Sequence, residues 1–461
     1  MKQKDALEIF KMGYNVYLTG AAGSGKTYLL NQYIEYLRDH NIPVAVTAST
    51  GIAATHMNGR TVHSWCGMSI NLKMSKSQIK DLADKDYLYR NIVNNQVLII
   101  DEISMLHASQ LDLIDGICKC LRDNTLPFGG LQVILCGDFF QLPPVSQSDE
   151  SGQFVTESAI WNNMDLKICY LSEQHRQDDL DFLKILNNIR GNSIDQPTIK
   201  ILRDKIGADI KTDFQITKLY THNIDVDRIN NFELDKIKHE PKEYEMHSKG
   251  NRKIVETLKR NCLAPETLIL KKGAVVIFVK NNFPKGYVNG TLGKVVGFDE
   301  DSGYPIVKIF SGDKIVAHPQ IWQIEEGYNT LAEICQVPLR LAWAITIHKS
   351  QGMSLDAAEI DLSKSFVFGM GYVALSRVKS LSGIILKGLN DLALRVDDNI
   401  LKIDQGLLDR SKSFLNDFMN MPKKKVKQIQ SEFVEKNTST PKDEDVEDAD
   451  DEELTIEDIP F

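Results

Sequence analysis

The sequence predicts an α/β protein with two parallel-sheet domains in succession and a small β-domain set into the second. Three observations predict it. Short apolar, β-branched runs alternate with helical patterns over residues 1–164, which argues for a parallel sheet covered on both faces. The alternation resumes over 165–267 and again over 336–395. Between them, over 268–335, it gives way to short strands broken by Gly and Asn turns. A chain of 461 residues is long enough for two or three domains with sizeable cores.

The elements follow in order. NVYLTG (15–20) is an apolar run that ends at a Gly-rich loop, and YLLNQYIEYLRDH continues with helical spacing. PVAVTAST (43–50), QVLIID (96–101) and LQVILCGD (131–138) are further strands. A polar, Lys-rich stretch over about 66–91 interrupts this pattern and reads as a small insertion. The second α/β pattern opens at LKICYLSEQHRQ and passes through KLYTHNIDVDRINN. LILKKGAVVIFVKNN, GTLGKVVGF and YPIVKIFSG supply the β-domain, and RLAWAITIHKSQG returns to the second α/β domain. Trp343, in the middle of that last strand, reads as core. Residues 396–420 suit a helix that packs a Leu/Ile/Phe face. From 421 to 461 the composition turns low-complexity and reads as a disordered tail.

Composition narrows the class. Apolar residues make up 42% and charged residues 25%, as in soluble globular proteins. No apolar run reaches the length of a membrane span, and MKQKDALEIF lacks the apolar stretch of a signal peptide. The seven cysteines form no CxxC pair, which points to reduced thiols rather than zinc ligands or disulfides. The expected compartment is cytoplasmic, or nuclear in a eukaryotic host. The net charge of −9 resides in the tail: residues 442–461 carry eleven acids and one lysine, which leaves the other 441 residues at +1. A near-neutral body is compatible with nucleic-acid binding in a local groove and does not by itself demonstrate it.

GAAGSGKT (20–27) has the residue types of a phosphate cradle, in the strand–loop–helix context such a cradle needs. Gly20, Ala21, Ala22, Gly23, Ser24 and Gly25 bring backbone N–H groups to phosphate oxygens. Lys26 reaches the β- and γ-phosphates, the Thr27 hydroxyl can ligate Mg²⁺, and Tyr28 follows at the edge of the site. VLIIDEIS (97–104) delivers Asp101 as the partner of Mg²⁺ and Glu102 as the base for the attacking water. Gln141, just past the strand in CGDFFQLPPV, is placed to sense the γ-phosphate. Arg176 in LSEQHRQ and Arg377 in YVALSRV offer guanidinium groups to the charge that develops on the transferred phosphoryl group. Both arginines lie in the second α/β region, so a nucleotide that met both would be held between two domains. Opening and closing of that cleft is then a motor stroke.

In this order the motifs GAAGSGKT, TASTGIAATHMNGRTVHSW, VLIIDEISM, CGDFFQLPPV, LSEQHRQ, LAWAITIHKSQGMSLD and YVALSRVKSLSG resemble those of superfamily-1 DNA helicases. Among these the sequence is most similar to the petite-integration-frequency (PIF) family of the RecD-like branch, over about residues 1–390. The resemblance implies two RecA-like P-loop NTPase domains, a wedge insertion at about 66–91 and a small β-barrel insertion at 268–335. It implies an ATP-dependent, Mg²⁺-requiring monomer that moves 5′→3′ on single-stranded DNA, with forked or 5′-tailed duplexes as substrates, in replication, recombination or repair. Gln3, seventeen residues before Gly20, matches the adenine-reading glutamine of such enzymes, and Gly352 matches a residue at the nucleotide. Ser49, Thr50, Gly51, His63 and Ser64 match single-strand contacts of the first domain; Thr346, His348, Lys349, Ser350 and Gln351 match those of the second. Hydroxyls and backbone N–H groups there hold phosphates without reading bases. The alternative for His63 is a buried structural histidine.

Two other readings stand beside the helicase: a remodeller that displaces proteins from DNA without unwinding it, and a motor subunit of a larger nuclease complex. The tail also stays open. PKKKVK (422–427) reads as a basic DNA-touching linker, a solvated segment or an import signal. The acidic end, EDADDEELTIEDIPF, reads as a solubilising segment, as a brake on the DNA groove, or as a tip that docks on genome-maintenance proteins, since it resembles the end of bacterial single-strand-binding proteins.

Overall fold

The apolar runs of the first domain become strands β1 (Val16–Gly20), β2 (Val44–Ala48), β3 (Arg60–Thr61), β4 (Val97–Asp101), β5 (Gln132–Cys136) and β6 (Lys167–Leu171). They form one parallel sheet in the order β3-β2-β4-β5-β1-β6. Of the four inner strands, β4, β5 and β1 are buried at every position, which is why their sequences are largely apolar rather than alternating. The computed structural model describes residues 1–55, 57–68, 74–141, 154–175, 179–210, 216–220, 226–326, 329–347, 350 and 352–438. Arg176, His348, Lys349, Gln351 and the acidic end lie outside them.

Three expectations are corrected. The first concerns the boundary at 165. Strand β6 pairs along its whole length with β1, Val16 opposite Lys167 through Gly20 opposite Leu171, and so completes the first sheet instead of opening the second. Its apolar run KICYL carries no mark of which sheet it joins; the parallel pairing with β1 decides it.

The second concerns the β insertion. The strands Pro241–Glu245 and His247–Gly250 pair with Thr267–Lys271 and Asn329–Gln336 respectively, ahead of the expected start at 268. Leu339–Leu341 then closes a five-stranded antiparallel sheet against Val275–Phe278, past the expected end at 335. PKEYE and HSKG are largely exposed and polar, so no apolar alternation announces them.

The third concerns the tail. Residues expected to be disordered from 421 form a helix over Lys423–Asn437. Phe433 and Val434 pack beside Phe414 and Phe418 on the core under the N-terminal helix Gln3–Phe10. Gln430 Nε2 donates to the Glu8 carbonyl at 3.0 Å.

The second α/β sheet is also parallel: Lys218–Tyr220 lies between Ala344–Thr346 and Ala358–Leu362, and Ile384–Leu389 takes the far edge. Trp343 is buried, as expected. In the Lys-rich insertion, the helices Lys76–Lys80 and Asp86–Val93 and the turn between them bury Leu82, Leu88 and Ile92 against Trp65 and the first-domain core. Each such side chain contributes about 1.5–3 kcal/mol when fully buried, enough to pin an otherwise polar segment. The helix Asp398–Asn420 lies along β6, with the Tyr170 N–H donating to Ser411 Oγ at 3.1 Å. Among the described residues no helix is long and apolar enough to cross a membrane.

Candidate nucleotide site and its DNA-facing loops

The loop after β1 turns tightly into the helix Lys26–Asp39. Gly25 makes that turn with φ +80°, a conformation that disfavours any side chain, and a Cβ there would also overlap the Gln3 amide. Helix N–H groups are thereby aimed at the space above the loop, where an anion is favoured. Lys26 Nζ lies across the loop and donates to the Gly20 and Ala21 carbonyls at 2.8 and 3.2 Å. The surrounding cleft has a volume of about 450 Å³, and Ala22, Gly23, Gly25, Lys26, Thr27 and Tyr28 form its first wall.

Asp101 and Glu102 enter the same cleft from the end of β4. The Glu102 N–H donates to Asp101 Oδ1 at 2.8 Å. Glu102 sits in the left-handed region, φ 52° and ψ 43°, a costly conformation for a residue with a Cβ and one that aims its carboxylate into the cleft. Burial, and then the Asp101 charge, push the Glu102 carboxyl up to about 7, while Lys26 and Arg377 pull it back down. Burial likewise raises Asp101. Gln141 is buried and lines the cleft, and its backbone N–H donates to the Asp138 carbonyl at 3.0 Å.

The opposite wall comes from the second sheet and the β insertion. Arg377 follows the helix Met370–Leu375, is 2% exposed, and donates to the Val373 carbonyl at 3.1 Å and to Ser376 Oγ at 3.2 Å. Burial pushes its guanidinium down from the ordinary value, and the Glu102 carboxylate raises it again. Gly352 and Ser354 complete this side together with Asn281 and Asn289 from the segment leading into Leu292–Phe298. Sequence reasoning missed the two asparagines because their approach depends on a backbone contact, Ser354 N–H to the Asn289 carbonyl at 3.0 Å. It also missed Tyr372, whose hydroxyl accepts from the Ala22 N–H at 3.1 Å and so ties the second domain to the phosphate loop.

The remaining sequence-picked residues divide. Gln3 grips the loop, its Nε2 donating to the Ser24 and Gly25 carbonyls at 3.1 and 3.4 Å, while Glu173 Oε2 accepts its backbone N–H at 2.6 Å. The Ser49 hydroxyl donates to the Glu102 carbonyl at 2.7 Å. Thr50, expected at DNA, stands in the wall of the same cleft as Lys26 and Glu102. Gly51 abuts the side chain of Asn261, and a Cβ there would overlap it. His63 is half-buried beside Gln110, its Nε2 3.0 Å from the amide nitrogen; burial lowers its pKa, and Ser64 next to it is exposed. Thr346 is buried at the end of its strand.

Ser350 departs from expectation. It is fully buried and its hydroxyl donates to the Ile347 carbonyl at 2.8 Å, so that hydroxyl closes a turn instead of facing a phosphate.

The hard-oxygen donors Thr27 and Asp101 suit Mg²⁺. Among the described residues no cluster of three His, Cys, Asp or Glu side chains could hold a metal by itself. The pair therefore fits an ion whose other ligands are phosphate oxygens and water.

Residues 3–198 match the PIF1-like helicase family, and residues 253–298 match the 2B domain of DNA helicase Pif1. The chain is 44% identical to the ATP-dependent DNA helicase Pif1 of Psychrobacter sp., over 94% of this chain and 75% of that protein. It is 36% identical to the human ATP-dependent DNA helicase PIF1, over 87% of this chain and 62% of that protein, so it spans about three fifths of the human relative. The crystal structure of Bacteroides Pif1 helicase in complex with ADP-AlF3 and ssDNA superposes with a TM-score of 0.58 at 30% identity, covering 88% of this chain and 96% of that one.

Proposed function

The chain belongs to the PIF1-like helicase family, and from that premise we infer that it is an ATP-dependent DNA helicase that moves 5′→3′ on single-stranded DNA. One observation carries the reading: Lys26 and Glu102 from the first α/β domain and Arg377 from the second line a single cleft. Hydrolysis there is coupled to the relative position of the two sheets, because each holds part of the chemistry.

In the hydrolytic step, the loop N–H groups and Lys26 bind the β- and γ-phosphates. Thr27 and Asp101 would hold Mg²⁺, which neutralises charge on the phosphate oxygens. Glu102 orients the attacking water and takes its proton; a carboxyl near 7 has the basicity for that task at neutral pH. Arg377, with Arg176, stabilises the charge on the transferred group. Gln141 senses the γ-phosphate and reports its loss. The single strand runs past Ser49, Gly51, His63 and Ser64 on one side and Thr346, His348, Lys349 and Gln351 on the other. Thr50, in the cleft wall one residue from Gly51, links the two sites.

The deciding experiment offers the protein duplexes with a 5′ or a 3′ single-stranded overhang and ATP. Unwinding of the 5′-tailed duplex alone is expected. Unwinding of the 3′-tailed duplex alone would reverse the direction. ATPase with no strand separation on either, but with displacement of a bound protein, would leave a translocating remodeller.

A further inference from the structure

Beside the cleft lies a buried ionic cluster to which neither the sequence motifs nor the hydrolytic step assigns a role. Arg190 ends the helix Leu180–Arg190, in the segment ILNNIRGN, which carries no nucleotide motif. Its guanidinium donates to both oxygens of Asp138, at 2.8 and 2.9 Å. It also donates to the hydroxyls of Tyr372 at 3.2 Å and Tyr170 at 2.9 Å, and to Asp404 at 3.2 Å. Its carbon stands 4.0 Å over the Phe140 ring. Arg190 is 8% exposed and Asp138 is fully buried.

A buried charge is retained at a cost unless its partners fix it completely, and a guanidinium is the side chain that can meet several acceptors at once. The partners here come from separate parts of the machine. Asp138 caps the turn that ends in Gln141: its carboxylate accepts the Phe140 N–H at 3.2 Å and its carbonyl accepts the Gln141 N–H at 3.0 Å. Tyr372 accepts the Ala22 N–H of the phosphate loop and precedes Arg377 by five residues. The far end of the Arg190 helix is fixed to the segment just beyond Arg377, where Asp179 Oδ2 accepts the Leu381 N–H at 3.0 Å.

We propose that Arg190 is a positioning residue for ATP hydrolysis: it locks the Gln141 turn to the phosphate loop and to the Arg377 segment, so that displacement of the second domain moves Gln141. This rests on the reading of Gln141 as the γ-phosphate sensor, and the test separates the two.

The test uses the full chain with Arg190→Lys, Gln141→Ala and the double variant, measuring kcat and KM for ATP with and without saturating single-stranded DNA. Lysine keeps the charge but cannot reach Asp138, Tyr170 and Tyr372 together. Arg190→Lys is expected to lower the DNA-stimulated kcat by roughly tenfold with KM for ATP within about threefold, the signature of an interaction lost in the transition state. The double variant is expected to be no slower than the slower single variant, because both changes remove one pathway. Wild-type kcat in Arg190→Lys with a slow Gln141→Ala overturns the proposal and leaves the sensor in place. Wild-type turnover in Gln141→Ala removes the sensor reading and the proposal with it. Effects that multiply in the double variant also overturn it. If Arg190→Lys shows no cooperative thermal transition, Tyr372→Phe carries the test: a fall in DNA-stimulated kcat with unchanged nucleotide affinity supports the proposal, and wild-type kcat overturns it.

Discussion

The two walls of the candidate nucleotide cleft are made differently. The first is local: the Gly-rich loop, Asp101–Glu102 and Gln141 each stand at or just beyond the end of one inner strand of the same sheet. Their positions follow from the parallel order β4-β5-β1, which sets three strand ends side by side. The second is assembled at a distance. Arg377 follows a six-residue helix, and Asn281 and Asn289 come from the connection between Val275–Phe278 and Leu292–Phe298, which meets the second domain through Ser354 N–H to the Asn289 carbonyl and Leu292 N–H to Asp356 Oδ2. The first wall can therefore exist in an isolated domain, whereas the second exists only when the domains meet. A motor needs that asymmetry, because a site complete on one domain would hydrolyse ATP without moving anything.

The sharpest break in this comparison removes Arg377. Arg377→Ala is expected to lower DNA-stimulated kcat on the order of a thousandfold, with nucleotide affinity changed only a few-fold because the first wall does the binding. Lost affinity with retained kcat, measured by equilibrium binding and steady-state ATPase, would assign the binding to the wrong wall.

Glu102→Gln tests the first wall. It is expected to bind ATP normally and to hydrolyse it more slowly by about two orders of magnitude or more, the usual weight of a general base. Single-turnover hydrolysis at the wild-type rate would take that role from Glu102.

A smaller and more graded effect is expected from pH. The Glu102 carboxyl is raised to about 7, and the base works only when ionised. kcat/KM for ATP should therefore be flat above that pH and fall about tenfold per unit below it. Glu102→Gln should erase the slope, and a profile level down to pH 5 would contradict the assignment.

The smallest effect lies farthest from the cleft. Phe433→Ala, on the helix Lys423–Asn437, removes a partly buried ring from beneath the N-terminal helix. It should cost roughly 1–2 kcal/mol, less than a fully buried phenylalanine. A lower melting temperature with wild-type kcat is expected; an unchanged melting temperature would mean that the helix is undocked in solution.

The same split between local and assembled structure separates what was legible in the residues from what was not. The loop at 20–27 and the Asp101–Glu102 pair were legible because strand, turn and chemistry are contiguous, and the structure brings them to one cleft. The allegiance of β6 was not, because a parallel partner is chosen by the rest of the sheet. Ser350 was picked by its place in a motif, yet its hydroxyl turns inward to Ile347, and side-chain direction in a turn is set by local backbone geometry that residue type alone does not carry.

By itself the sequence carried the residue types of the phosphate loop and of the Asp101–Glu102 pair, since each lies within a few positions whose spacing is fixed by backbone geometry, and the order of its motifs carried the family. Tertiary structure alone decided the extent of the β insertion, the helix at 423–437 and the cluster around Arg190. In that cluster Asp138, Arg190, Tyr372 and Asp404 span more than 260 positions of chain. None of the four residues is unusual where it stands. What makes them a unit is burial in one place, where each charge is tolerable only because the others are there.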